Sequence, residues 1–131
     1  MGFLDRFFDN SKPDTNPFWE IISNEHQLDE IILLSEGKPQ VILKHSNQCG
    51  TSFFAKKNVE MIDGKYLEGV DLYLVDVISQ RGLSTILGEK VGVRHQSPQL
   101  IVLFNGKVIW HGSHQHVNEE NLIKALNYAL G

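Results

Sequence analysis

The sequence predicts an α/β fold in which a central mixed β-sheet is flanked by helices on both faces. Three observations carry that expectation. From Phe18 onward, short strand-like apolar runs alternate with stretches that repeat apolar residues at helical spacing. Val41-Ile42-Leu43 is apolar without interruption, as a strand covered on both faces requires. Near the end, two strand-like runs flank Asn105-Gly106, so a hairpin replaces the alternation and adds antiparallel neighbours to a parallel portion.

The elements follow in order. Phe18–Ile22 reads as an edge strand. Asn24 reads as a helix N-cap, with Gln27 three residues later as its capping-box partner. Leu28, Ile31 and Ile32 form that helix's apolar stripe, and Gly37 and Pro39 end it. After the strand at Val41–Leu43, Ser46–Cys49 connects to a helix from about Gly50 to Ile62, closed by Gly64. Phe54, Val59 and Ile62 are expected to face the sheet. Asp71–Ile78 is rich in Leu and Val and reads as another buried strand. The helix over roughly Gly82–Lys90 sets Leu83, Ile86, Leu87 and Val91 at helical spacing. Leu100–Phe104 and Lys107–His111 form the hairpin, because Asn-Gly supplies the positive φ angles of a two-residue type I′ turn. Asn118 caps a last helix carrying Leu122, Ile123, Leu126 and Ala129, and Glu119-Glu120 suit its dipole. Residues 1–17 read as an arm: Phe3, Leu4, Phe7 and Phe8 share a helical face before Lys12–Pro17 breaks regular structure. Residues 18–131 read as one domain.

Composition narrows the function classes. At 41% hydrophobic residues the chain can build a core. A net charge of −4 and the lack of a long basic run argue against nucleic acid as the main partner. No apolar stretch approaches the roughly 20 residues needed to span a bilayer. Met1–Asn10 lacks the uninterrupted apolar run of a secretory signal. A cytoplasmic monomer is the expectation, and that setting suits a free thiol. With one cysteine, the chain has no internal disulfide to rely on.

That cysteine, Cys49, stands in Gln48-Cys49-Gly50-Thr51-Ser52 at a strand-to-helix junction. Such a junction aims backbone N–H groups and the positive end of a helix dipole at the side chain there. A thiolate is stabilised in that field, and the thiolate is the nucleophile. Gly50, Thr51 and Ser52 form the expected stabilising turn, through the N–H groups of Thr51 and Ser52 and the Ser52 hydroxyl. Ser52 occupies the place of the second thiol of a Cys-x-x-Cys motif, so a mixed disulfide on Cys49 must be resolved by an external thiol. Lys44 and His45 precede this loop, and either raise the local positive potential or face solvent. His111, His114 and His116 invite a metal reading, but no Cys, Asp or Glu lies within Trp110–Val117 to complete a site. No metal is expected there; a polar rim is.

This element order, with a Cys at the start of the second helix, is similar to the thioredoxin fold. Val91–Leu100 followed by Phe104-Asn105-Gly106-Lys107 strengthens the likeness. A closer resemblance rests on Lys44-His45-Ser46-Asn47-Gln48-Cys49-Gly50-Thr51-Ser52, Val75-Asp76-Val77, Gly92-Val93-Arg94-His95-Gln96-Ser97-Pro98-Gln99 and Gly106-Lys107-Val108-Ile109-Trp110-His111. These stretches look like the monothiol bacilliredoxins of the YtxJ type, over about Trp19 to Leu130. The resemblance implies a thiol–disulfide oxidoreductase that removes bacillithiol from S-bacillithiolated proteins through a mixed disulfide on Cys49. Bacillithiol is then a cosubstrate and no cofactor is bound. The implied partners are S-bacillithiolated proteins and the low-molecular-weight thiol. Ser97, Pro98 and His95 become the substrate-binding residues, with Pro98 cis and facing the cysteine.

Two positions depart from these patterns. Family members commonly carry a proline after the cysteine, where this chain has Gly50. Dithiol thioredoxins carry a buried Asp six residues before the first Cys, thought to deprotonate the second, where this chain has Leu43. A protein without a second thiol has no use for that acceptor. Two other functions stay open at this point: an iron–sulfur carrier like the monothiol glutaredoxins, and a binding module without catalysis.

Overall fold

The six residues Gln40–His45 (β2) are all buried, and the rest of the sheet is arranged around them. The structure, a computed structural model, describes residues 18–131, so the arm expected over residues 1–17 lies outside the described residues. The other strands are Glu20–Ile21 (β1), Asp71–Asp76 (β3), Gln99–Phe104 (β4) and Lys107–Ser113 (β5). Helices span Glu25–Leu34 (α1), Gly50–Glu60 (α2), Arg81–Val91 (α3) and Glu119–Leu130 (α4), with short 3-10 turns at Gly64–Leu67 and His114–His116. The sheet order is β1-β3-β2-β4-β5, with β1, β3 and β2 parallel and β4 and β5 antiparallel to their neighbours.

Alternation along β2 divides the core. Val41 and Leu43 join Ala55, Val59, Leu122 and Leu126 on the face covered by α2 and α4. Ile42 joins Leu28, Ile31, Leu83 and Leu87 on the face covered by α1 and α3. Lys44 continues the second row and His45 the first, since side chains two apart share a face. Both are buried, at 0% and 5% exposure, so neither faces solvent.

Local signals account for most boundaries. Asn24 Oδ1 accepts from Gln27 N at 2.9 Å while Gln27 Oε1 accepts from Asn24 N at 3.2 Å, a complete capping box. Asn105 and Gly106 adopt φ of 54° and 80°, as the hairpin turn demands. That turn is held to the end of α1: Asn105 N donates to Ser35 O and Gly106 N to Ser35 Oγ. The third strand stops at Asp76, two residues earlier than its apolar content suggests. Asp76 Oδ1 accepts from Ile78 N at 2.9 Å, and this local turn competes with the ladder. The first strand is also shorter than expected, with two residues in the sheet and Ile22 N bonded beyond it to Leu74 O.

One sequence expectation is overturned. Phe54 does not face the sheet; it is 66% exposed. The buried face of α2 runs through Ser52, Ala55 and Val59, spaced i, i+3, i+7, and Phe54 lies beside that row. Two small residues in the row let α2 sit close to the sheet, which a Phe would prevent.

Gly88 marks the tightest contact of α3. A Cβ there would meet the Val93 carbonyl oxygen at 2.8 Å. The chain turns back immediately after α3, through Gly92 at φ 73°, and Val93 N donates to Gly88 O. Gly88→Ala should therefore destabilise the fold by about 1–3 kcal/mol, the cost of overpacking outweighing the gain in helix propensity. Urea denaturation checks this through a lower midpoint at unchanged slope.

Candidate active site

Cys49 is the N-cap residue of α2, with extended backbone at φ −119° and ψ 123°. Its carbonyl accepts the first helical bond from Phe53 N at 3.1 Å, and its own N–H donates to Ser46 O at 3.3 Å. Ser46 also anchors the loop through Oγ, which accepts from Gln48 N. The cysteine is free and exposed. An N-cap side chain normally accepts from the N–H of the second or third helical residue, here Thr51 and Ser52. The thiol is held below its ordinary pKa by those groups: first the Ser52 N–H, then the Thr51 N–H, with smaller help from the two hydroxyls and some opposition from desolvation. The sulfur makes no close cap bond, and Ser52 Oγ, buried in the same turn, has no other partner, so it is free to turn toward the sulfur. Gly50 contributes no donor to this set; a Cβ on it would meet nothing within 4 Å. Leu43 is fully buried on the face that α2 covers.

The candidate substrate loop leads into β4. The Ser97–Pro98 peptide bond is cis, and Pro98 is buried. Pro98 O accepts from His114 N, which ties the loop to the turn at His114–His116. Ser97 lies two residues before the first residue of β4, Gln99, and outside the strand. His95 is exposed, yet its Nδ1 is turned inward, 3.2 Å from Lys44 Nζ and 3.3 Å from Ser84 Oγ. Burial first, and then the Lys44 charge, hold His95 below the ordinary histidine pKa. Gln99 Nε2 donates to Arg94 O at 3.0 Å, a second tether on the same loop.

Other candidates fall elsewhere. His111, His114 and His116 are all exposed, and among the described residues no three His, Cys, Asp or Glu side chains gather as a metal set. His45 lies on the α2 face, and its pKa is lowered by burial against the opposing effect of Asp76. Sequence reasoning missed Gln99 and did not decide Lys44; the signal for both was register, since Lys44 pairs with Gln99 across β2 and β4. It also missed an apolar surface beside the thiol. Phe53 and Phe54, 56% and 66% exposed, stack edge-to-face at 5.6 Å on the first turns of α2.

A family described as monothiol bacilliredoxin BrxC matches residues 20–122. The chain belongs to that family. Among solved structures, a thioredoxin-fold protein proposed to be an oxidoreductase superposes with a TM-score of 0.70 at 29% identity, covering 83% of this chain and 94% of its own. Thioredoxin from Fasciola hepatica gives 0.66 at 18% identity, covering 84% and 98%. Malassezia sympodialis thioredoxin (Mala s 13) gives 0.66 at 22% identity, covering 86% and 91%. The fold is thioredoxin-like, and this bacilliredoxin-family chain is a thioredoxin-fold oxidoreductase with a single cysteine. Among the described residues no helix is long and apolar enough to cross a membrane.

Two substitutions test the cap geometry. Ser52→Ala removes a hydroxyl but keeps both N–H donors, so the alkylation rate of Cys49 should show a midpoint shifted up yet still below that of free cysteine. The sign follows from the depressed pKa: the thiolate persists above it and is lost as pH falls through it. Gly50→Pro fits the first helical position, and Cys49 is already in the extended region a pre-proline residue needs. It should raise stability by about 0.4–1 kcal/mol through unfolded-state entropy, seen as a higher denaturation midpoint.

Proposed function

We propose that this protein is a monothiol debacillithiolase. The Cys49 thiolate attacks the sulfur of bacillithiol in a protein–bacillithiol disulfide. The protein–bacillithiol S–S bond breaks, its electron pair leaves on the target protein's sulfur, and a Cys49–bacillithiol disulfide forms. A second bacillithiol thiolate then attacks the bacillithiol sulfur of that disulfide, releasing Cys49 as thiolate and bacillithiol disulfide as product. Electrons balance: the target sulfur is reduced, the incoming second bacillithiol is oxidised, and the transferred bacillithiol sulfur stays at the disulfide level throughout.

The observation that carries this reading is the exposed sulfur at the α2 N-cap with Ser52, rather than a second thiol, in the following turn. No partner sulfur closes onto Cys49, so an external thiol must resolve it. Family membership supports bacillithiol as that thiol. Ser97, outside β4, offers backbone groups to an extended substrate strand. Exposed Phe53 and Phe54 offer apolar surface to a protein substrate one turn from the sulfur.

Intact mass spectrometry tests the reading. Incubated with a bacillithiolated protein, the wild type should gain one bacillithiol on Cys49 while the substrate loses it, and Cys49→Ser should gain none. Equal or faster transfer from a glutathionylated substrate would sink the bacillithiol assignment and leave the oxidoreductase class standing.

A further inference from the structure

Lys44 is fully buried in the central strand, and no acidic side chain among the described residues pairs with it. Burying an ammonium without a counter-ion is costly unless its hydrogen bonds are satisfied. Its recorded partner is His95 Nδ1, at 3.2 Å. An ammonium has donors only, so Nδ1 must be the acceptor and the ring proton must sit on Nε2. Ser84 Oγ, 3.3 Å from the same nitrogen, closes that edge of the ring. His95 is exposed as a residue, and with both of these contacts on Nδ1 the ring nitrogen left for another partner is Nε2. Gln99, cross-strand from Lys44, holds the adjacent Arg94 carbonyl. Two buried side chains of the sheet therefore grip the two residues that begin the loop leading to Ser97 and Pro98.

We propose that Lys44 is a positioning residue of the substrate loop: from inside the sheet it fixes the tautomer and orientation of His95, so that Nε2–H is offered to an acceptor on the incoming disulfide. The acceptor class is a carboxylate or carbonyl oxygen of the bacillithiolated substrate. This role rests on the function proposed above, but the Lys44–His95 coupling does not.

The arrangement responds to pH. Burial lowers the Lys44 pKa to about 8. Around Lys44 Nζ lie His95 Nδ1, with the Ser84 hydroxyl on that same nitrogen, and the Gly88 position of α3, where a Cβ would come within 3.9 Å of Nζ. Below that pH the ammonium donates to Nδ1. Above it the free amine can accept, Nδ1 can take the ring proton, and Nε2 turns from donor to acceptor. Substrate affinity should fall as pH rises past about 8, while the Cys49 thiolate is not lost over that rise.

The test uses the full chain labelled with 15N at histidine. At pH 7 the wild type should show a neutral His95 with the proton on Nε2. In Lys44→Met the His95 titration should move to higher pH, because a neighbouring positive charge has gone. The KM for a bacillithiolated peptide should rise about tenfold, the size of one hydrogen bond to a charged group, with the alkylation rate of Cys49 within about twofold of wild type. The loss of affinity above pH 8 should disappear in the variant. A wild-type ring protonated on Nδ1 at pH 7 overturns the proposal without any variant, and so does an unchanged His95 titration in Lys44→Met. Failure of the wild type to accept bacillithiol would sink the functional reading instead, with the ring measurements still deciding the coupling.

Discussion

The amide donors in the first turn of α2 need an acceptor, and the side chain placed to accept is a sulfur. The contrast with other starts in the chain is informative. Asn24 and Asn118 cap α1 and α4 through side-chain oxygens, and Asp63 caps the turn at Gly64–Leu67. Cys49 makes no such close bond. A charged sulfur is the better acceptor for the Thr51 and Ser52 amides, so helix formation itself supplies a bias toward thiolate.

That bias needs the helix held against the sheet at a fixed place. The buried row Ser52, Ala55 and Val59 does this on one side, and Val41 and Leu43 on the other. Because β2 is central and wholly buried, its end is a rigid point from which the Cys49 loop departs. The same strand reaches the opposite face through Lys44, and there it meets the loop that leads to Pro98. One strand therefore positions both Cys49 and the loop proposed to receive its substrate.

What could be read from the sequence was local. The capping box of α1 and the positive φ angles at Asn105 and Gly106 depend on residues within four positions of each other, and both were legible. The candidate site was legible as Cys49 with its turn and as a Ser97–Pro98 loop. The errors came where hydrophobicity and geometry disagree. Phe54 is the more apolar residue, but helical phase buries Ala55. The role of Lys44 needed the pairing of β2 with β4, which joins residues more than fifty positions apart and leaves no local trace. The end of β3 depended on a side-chain bond from Asp76, against a run that stays apolar beyond it.

Amides that favour a charged sulfur act on departure as well as attack. When Cys49 is joined to another sulfur, the amides of Thr51 and Ser52 lose their anion. Expelling Cys49 restores it, and a thiol of low pKa leaves a disulfide faster than an ordinary one. Under the proposed function, the same helix start that arms the thiol also empties it, which suits a relay better than a store.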